Sequence, residues 1–281
     1  MKDKGQDVNN LIKEALAEDI QEGDITTAAI IPENVQGSGI FLVKEKGIVA
    51  GLSVIEQVFR IYDASVAFTY LRKDGDAVSE RTAAARVSGS AGSLLTVERT
   101  ALNFLQRMSG IATLTSQFAK EIQHTGAKIL DTRKTAPGLR VFDKEAVRIG
   151  GGMNHRMGLF DMFLIKDNHI AVAGSLTKAV AACRSVQSNK TIKIEVEAET
   201  IDQVQEALTC DVDMIMLDNF SLPMIVQAVK IVNKQCLLEV SGGVSLENIA
   251  SIAKTGVDYI SVGALTHSAK ALDISFDLTL L

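Results

Sequence analysis

The spacing of apolar and polar positions changes along the chain, and each change marks an element. Between Val8 and Asp19, the residues Val8, Leu11, Ile12, Ala15 and Leu16 share one helical stripe while Lys13, Glu14 and Glu18 face away. That spacing predicts an amphipathic surface helix. From Gly37 to Val97 the pattern shortens to alternating or β-branched runs, Gly39 to Val43, Val66 to Leu71 and Ala83 to Val87, broken by glycine and by Lys73-Asp74-Gly75-Asp76. A small β-rich domain with a helix near Val54 to Arg60 is expected there. A long helical pattern starts near Thr96, its apolar stripe of Ala101, Leu102, Leu105, Met108 and Ala112 interrupted by Thr100, Asn103, Arg107 and Ser109. It is expected to link two domains.

Beyond that helix, short apolar runs alternate with helical stretches: Lys128 to Leu130, Met162 to Ile165, Ile192 to Val196, Met214 to Leu217, Leu237 to Val240 and Tyr259 to Val262. Their spacing of about 20 to 35 residues suits βα units. Six units fall short of a complete eight-unit barrel, yet the same placement rule should hold, with functional residues at the carboxyl ends of the strands. The predicted class is α/β. The expected division is residues 1–105, residues 106–265 as the barrel, and residues 266–281 as a C-terminal segment returning to the first domain.

Composition narrows the function. A chain of 281 residues with 47% hydrophobic and 22% charged content is ordinary globular material. Net charge of -5, no Trp and 5% aromatic content argue against a nucleic-acid binder or a base-stacking platform. Any anion site must be local. Cys183, Cys210 and Cys236 are widely spaced, with no C-x-x-C pair, so neither a disulfide framework nor a structural zinc is expected. Met1 to Asn10 is polar, and no apolar run reaches the roughly 18 residues of a membrane span. A reducing, cytoplasmic setting is the expectation.

Every predicted strand end is polar or glycine: Asp131-Thr132-Arg133-Lys134-Thr135, Lys166-Asp167-Asn168-His169, Glu195-Val196-Glu197, Leu217-Asp218-Asn219, Ser241-Gly242-Gly243 and Gly263. A common mouth facing one ligand explains this better than unrelated solvated loops. Between Asp131 and His169, seven Lys or Arg face five acids, a local excess of +2 inside a chain of -5. Arg133, Lys134 and Lys166 sit at strand ends, and Arg156 adjoins His155 after the flexible Gly150-Gly151-Gly152. Guanidinium forks grip carboxylates or phosphates and lysine adds a point charge, so a ligand with several negative charges is the natural match. Arg140, Lys144 and Arg148 read instead as a solvated helix face.

His155 fits substrate binding, though a core histidine or proton donor has the same signature. His169 and His267 stay open between structural and functional roles. Glu197 and Asp218 end neighbouring runs and could approach a Mg²⁺ or ribose hydroxyls, with strand-end capping as the alternative. Glu195, across Val196 from Glu197, is expected to point to the opposite side, leaving one of the two facing the site. Ser241-Gly242-Gly243 and Gly263 close the last two runs, where glycine loops and helix N-termini commonly bind phosphate.

With these motifs in view, the chain resembles the quinolinate phosphoribosyltransferases nearly end to end. The likeness is carried by Glu18-Asp19 with Gly23-Asp24-Ile25-Thr26-Thr27, by Glu98-Arg99-Thr100-Ala101-Leu102-Asn103, by Asp131 to Pro137, and by Gly150-Gly151-Gly152 through His155-Arg156. Lys166 to His169, Glu195-Val196-Glu197, Leu217-Asp218-Asn219 and Ser241-Gly242-Gly243 extend it. The resemblance implies an N-terminal α/β sandwich, an incomplete six-stranded α/β barrel, and a homodimer with sites at the subunit interface. It implies transfer of phosphoribosyl from phosphoribosyl pyrophosphate to quinolinate, with Mg²⁺ and loss of CO₂.

By position, Arg133, His155, Arg156 and Lys166 would hold the quinolinate carboxylates, and Arg99 would reach in from the partner. Thr132, at the same end, counts with the expected substrate-binding residues. Lys134, Glu197 and Asp218 would contact the phosphoribosyl donor and its metal, directly or through substrate or water. Ser241, Gly242, Gly243 and Gly263 would take the 5′-phosphate. Lys134, Lys166, Glu197 and Asp218 are the expected catalytic set. Gln21 departs from the family, where glycine is expected before Gly23-Asp24.

Competing readings are a related transferase with another carboxylated acceptor, including the family's molybdenum-locus relatives, a Schiff-base aldolase using Lys166, and a silent anion-binding protein.

Overall fold

A computed structural model describes residues 8–186 and 192–281. The polar start of the chain lies outside them as far as residue 7. The chain divides into two compact units, Met1–Ser116 with Thr135–Gly151 and Thr266–Leu281, and Gln117–Lys134 with Gly152–Leu265. Among the described residues no helix is long and apolar enough to cross a membrane.

In the first unit, α1 (Val8–Ile20) buries Ile12 and Leu16, as its stripe predicts, and packs on α3 (Leu52–Tyr62). A short α2 (Ile25–Ile30) is capped by Asp24, whose carboxylate accepts from the Thr26 and Thr27 amides. Four antiparallel strands, β1 (Gln36–Val43), β3 (Ala67–Tyr70), β5 (Thr82–Ser90) and β12 (Ile274–Leu280), pair in the order β12-β1-β5-β3. The small ribbon β2 (Gly47–Ile48) with β4 (Ala77–Val78) stands apart. β1 alternates buried residues with half-buried ones along its length, Gln36 alone being exposed, the pattern of a sheet packed more closely on one face than on the other. The Phe41 ring meets Phe59 at 6.0 Å and Phe276 at 5.0 Å between centroids. Phe276 lies so close over Gly39 that a Cβ there would sit 1.9 Å from the ring.

The long helix α4 (Ala91–Ile122) starts five residues before the expected Thr96 and passes the division after Ser116. The segment carrying α5 (Arg140–Ile149) groups with the first unit, not with a barrel beginning at residue 106. Packing explains it: Phe142 meets Phe104 at 4.8 Å between ring centroids, and Arg107 grips Asp143 through two bonds of 2.7 Å. The solvated-face reading of this helix fails at Lys144, which is 1% exposed. Arg140 turns to Thr135, and Arg148 alone keeps the exposed, Glu145-paired character that reading predicts. The glycine triplet is packed at its first member: a Cβ on Gly150 would lie 2.4 Å from the Ala112 carbonyl, so glycine at that position serves close approach to α4, while Gly151 is exposed at φ 93°.

The second unit is a six-stranded, wholly parallel sheet in the order β6-β11-β10-β9-β8-β7. The strands are β6 (Lys128–Leu130), β7 (Phe163–Ile165), β8 (Ile194–Ala198), β9 (Met214–Asp218), β10 (Leu237–Ser241) and β11 (Tyr259–Ser261). All six fall on the predicted apolar runs. Helices α6 (Asp167–Ala173), α7 (Leu176–Ser185), α8 (Ile201–Thr209), α9 (Leu222–Val232) and α10 (Ile249–Ala253) return the chain between strands, and α11 (Ala264–His267) follows the last. Several crossovers carry explicit start signals: Ser175 caps α7, and Thr200 with Gln203 forms a capping box on α8. This is the incomplete α/β barrel the pattern predicts. Burial of both strand faces accounts for the apolar run of β9, while β8, buried throughout as well, carries Glu195 and Glu197.

Candidate active site

The carboxyl ends of the parallel strands surround one cavity of about 520 Å³. Its wall gathers Thr132, Arg133, Lys134, His155, Arg156, Lys166, Glu197, Asp218, Ser241, Gly242 and Gly243. Those are the expected residues of the second unit apart from Gly263, which follows β11 two positions after the wall residue Ser261. Arg99 is exposed on α4 in the first unit. His169 faces elsewhere, its Nδ1 accepting from the Lys166 amide at 2.9 Å and its side bordering a separate apolar cavity with Phe163 and Val172. His267 is exposed beside Ser268, with Nδ1 and Oγ 2.6 Å apart.

One part of the wall is cationic. Arg133 and Arg156 are close enough that each opposes the other's charge; burial lowers the Arg156 guanidinium below its ordinary value, and Arg133 adds to the effect. The Arg156 guanidinium is steadied by the Met162 carbonyl, which accepts at 3.1 Å. Lys166, at the start of α6, reaches Glu197 Oε2 at 2.5 Å across the end of β8. That pairing is the reverse of the desolvated, uncharged amine a Schiff-base aldolase needs.

The second part is acidic and glycine-lined. Glu197 and Asp218 end adjacent strands, each with one oxygen committed: Glu197 Oε2 to Lys166, and Asp218 Oδ2 to the Asn219 amide at 2.9 Å. The remaining oxygens are hard donors of the kind Mg²⁺ takes. Asn219 adopts φ 56°, and its backbone amide donates to the Ser241 carbonyl at 2.9 Å. Its side chain presses against Gly242, at φ 88°, so closely that a Cβ would lie 2.2 Å from Asn219 Oδ1. Gly243 is also left-handed, at φ 61°, and opens on free space. The Asn248 side chain holds this loop by donating to the Gly243 carbonyl at 2.8 Å and accepting from the Ser245 amide at 2.9 Å.

At the base of the cavity, where His155 and Glu239 join its lining, lies a layer that the sequence reading missed or misplaced. Glu195 and Glu239 are fully buried and face each other. Glu195 shares a side with Glu197, contrary to expectation, because residues two apart on a strand point the same way. Burial pushes both carboxyls above their ordinary range, and mutual repulsion raises Glu239 further. Two buried carboxyls in contact are reconciled by a proton held between them. His155 Nε2 lies 3.0 Å from Glu195 Oε2 and 3.5 Å from Glu239 Oε2. Asp131, also buried, accepts from the His155 backbone amide at 2.9 Å. The one available signal for Glu239 was an acid inside an apolar run, which costs free energy unless partnered.

Chemically, clustered cations beside two carboxylates and a glycine loop suit a polyanion pair: one ligand rich in carboxylate, another in phosphate and hydroxyl. Comparison with known proteins identifies the family. Residues 24–109 match the family model for the quinolinate phosphoribosyl transferase N-terminal domain, and residues 111–277 match that for its C-terminal domain. The nicotinate-nucleotide pyrophosphorylase (carboxylating) of Arabidopsis thaliana, described as chloroplastic, is 46% identical across 97% of this chain and 83% of its own. A probable nicotinate-nucleotide pyrophosphorylase (carboxylating) of Bacillus subtilis is 42% identical across 97% of this chain and 94% of its own. The crystal structure of NadC from Streptococcus pyogenes superposes with a TM-score of 0.93 at 42% identity, covering 98% of this chain and 97% of that one.

Proposed function

Because the chain belongs to the quinolinate phosphoribosyltransferase family, we propose that the cavity seats quinolinate over its cations and phosphoribosyl pyrophosphate over its carboxylates and glycine loop. The enzyme transfers phosphoribosyl from phosphoribosyl pyrophosphate to quinolinate with decarboxylation, giving nicotinate mononucleotide, pyrophosphate and CO₂ in de novo NAD synthesis. The observation that carries the seating is that Arg133, Arg156 and Lys166 share one wall with Glu197, Asp218, Gly242 and Gly243.

Arg133 and Arg156 grip the two adjacent carboxylates of the pyridine ring, and Lys166 adds a point charge. This fixes the ring nitrogen against the anomeric carbon, converting a bimolecular encounter into an oriented one. Glu197 and Asp218 bind the ribose hydroxyls and would hold Mg²⁺ directly or through substrate and water; when bound, the ion supplies positive charge against the departing pyrophosphate. Lys134 adds its own charge to that leaving group. Ser241 and the exposed amides of Gly242 and Gly243 take the 5′-phosphate, with Gly263 beyond them.

The nitrogen forms its bond to the anomeric carbon as the bond to pyrophosphate breaks. The ring is then cationic, so the carboxylate on the carbon beside the nitrogen leaves as CO₂. Its electron pair stays on that carbon, stabilised by the adjacent positive charge, until a proton arrives. No covalent enzyme intermediate is needed.

The reading extends to a cytoplasmic homodimer in which Arg99 of the partner subunit completes the acceptor site. The test is incubation with phosphoribosyl pyrophosphate, Mg²⁺ and either quinolinate or nicotinate. Nicotinate mononucleotide from quinolinate alone is expected; product from nicotinate would assign another acceptor. Mixing Arg99→Ala with Lys166→Ala chains should restore activity in heterodimers, and verified heterodimers without it would exclude the shared site.

A further inference from the structure

The barrel is hollow at its amino end as well as at its mouth. A second cavity of about 210 Å³ is lined by the first residues of β9, β10 and β11, Met214, Leu237 and Tyr259, together with Leu130 and Met162. Strand register sets it there: Met214 pairs with Leu237, and two positions further along the same faces Met216 pairs with Glu239, both of which line the active-site cavity. An interior of this kind is ordinarily filled by layers of bulky side chains. The charged and amide lining of the lower chamber is of two kinds: His155 and Arg156, which also line the active-site cavity, and Asn154, Lys193 and Asp213, which are exposed. The chamber therefore touches the acceptor wall on one side and solvent on the other. A dry apolar cavity of about 150 Å³ takes up benzene or xenon rather than water.

We infer that this chamber receives the CO₂ expelled from the acceptor and releases it at the amino end of the barrel, an inference that rests on the seating of quinolinate proposed above. In that seating Arg156 grips a ring carboxylate, and the phosphoribosyl group lies over Glu197, Asp218 and the glycine loop. When the bond between ring carbon and carboxyl breaks, its electron pair stays on the ring carbon and the carboxyl leaves as a neutral molecule. Arg156 holds a carboxylate through charge-assisted hydrogen bonds and has no such hold on CO₂. The neutral product then has ribosyl phosphate on one side and apolar surface on the other, and transfer of an apolar molecule to apolar surface is favourable. Its removal matters because the ring carbanion can recapture CO₂ until a proton arrives. A chamber behind the acceptor wall separates the two while the nucleotide still fills the mouth.

Crystals of the full-length protein pressurised with xenon, a small apolar probe, test the chamber itself. Xenon is expected between Met214, Leu237 and Tyr259; a chamber that holds ordered water and no xenon overturns the inference. Leu237→Phe and Tyr259→Trp fill the space from separate strands and should exclude xenon. Steady-state kinetics then test the route. Each filled variant should lower kcat about tenfold with both KM values within about twofold, because only escape is slowed. The solvent deuterium effect on kcat should also rise above that of wild type, since recapture of CO₂ makes ring protonation limit the rate; a packing defect alone would not produce this. Xenon pressure on the wild-type enzyme should lower kcat in the same way, against nitrogen at equal pressure, and needs no variant to fold. Filled variants or xenon-loaded wild type with unchanged kcat and deuterium effect would give CO₂ another exit and overturn the inference. A chamber that binds xenon in a protein making no nicotinate mononucleotide from quinolinate would mark failure of the seating instead, and the route falls with it.

Discussion

Replacing Gly242 by alanine separates two costs that neighbouring positions combine differently. At φ 88° any L side chain is strained, and the new Cβ would lie 2.2 Å from Asn219 Oδ1 and 3.1 Å from the Asn219 backbone nitrogen. Gly243, at φ 61°, carries similar strain with no atom within 4 Å of a Cβ. The strain common to both is worth about 1–2 kcal/mol. Gly242→Ala must in addition displace the Asn219 side chain and give up its 2.9 Å bond to Asp218. Because Asn219 is exposed, that loss is about 1 kcal/mol. Urea unfolding should therefore show Gly243→Ala losing about 1–2 kcal/mol and Gly242→Ala about 1 kcal/mol more. With Asp218 no longer oriented, steady-state kinetics should show the phosphoribosyl pyrophosphate KM raised roughly tenfold in Gly242→Ala, an effect near 1.4 kcal/mol. The quinolinate KM should hold. Equal destabilisation by the two variants, or a parallel rise in both KM values, would refute the reasoning.

Arg107→Ala strands Asp143, which is 0% exposed, without its bidentate partner, but Arg107 itself keeps 31% exposure; a loss of about 2–3 kcal/mol is expected, below the range for fully buried pairs. A double-mutant cycle with Asp143→Ala giving under about 0.5 kcal/mol of coupling would contradict it. Burial holds the Glu239 carboxyl above its ordinary value of 4.5 in the folded protein. As pH climbs above that value, the unfolded chain releases a proton that the folded protein still binds, so this contribution is full at low pH and shrinks as pH rises. Chemical denaturation between about pH 5 and pH 8 should show stability falling with pH, and Glu239→Gln should flatten the slope; an unchanged slope would place the titration elsewhere. Arg156→Lys keeps the charge and loses the fork, so quinolinate KM should rise about 10- to 100-fold with little change for phosphoribosyl pyrophosphate. A rise below about twofold would remove Arg156 from the acceptor contacts.

The barrel strands were legible because parallel strands are buried on both faces, so several appear as short apolar runs such as Met214 to Leu217, even where an acid such as Glu195 or Glu239 interrupts them. Their ends were legible because chemistry at a barrel mouth demands polar or glycine residues where a plain turn would not. Gln21, the one departure from the family pattern, sits at φ 44°, the conformation for which glycine is suited. What failed depended on packing. Lys144 recurs at helical spacing with Arg140 and Arg148, and periodicity alone cannot tell a solvated lysine from one enclosed by neighbours remote in sequence. The close approach at Gly150 was hidden behind a triplet that looked only flexible, because the Ala112 carbonyl that presses on it belongs to another helix. Glu239 passed unnoticed because its partners, Glu195 and His155, come from other strands and loops.

The central claim is that one cavity joins phosphoribosyl to quinolinate and expels the carboxyl next to the ring nitrogen. Quinolinate labelled with ¹³C in that carboxyl alone, incubated with the purified enzyme, phosphoribosyl pyrophosphate and Mg²⁺, tests it directly. Labelled CO₂, unlabelled nicotinate mononucleotide and pyrophosphate in equal amounts are the predicted result. Label retained in the nucleotide, or pyrophosphate released without nucleotide, would contradict it.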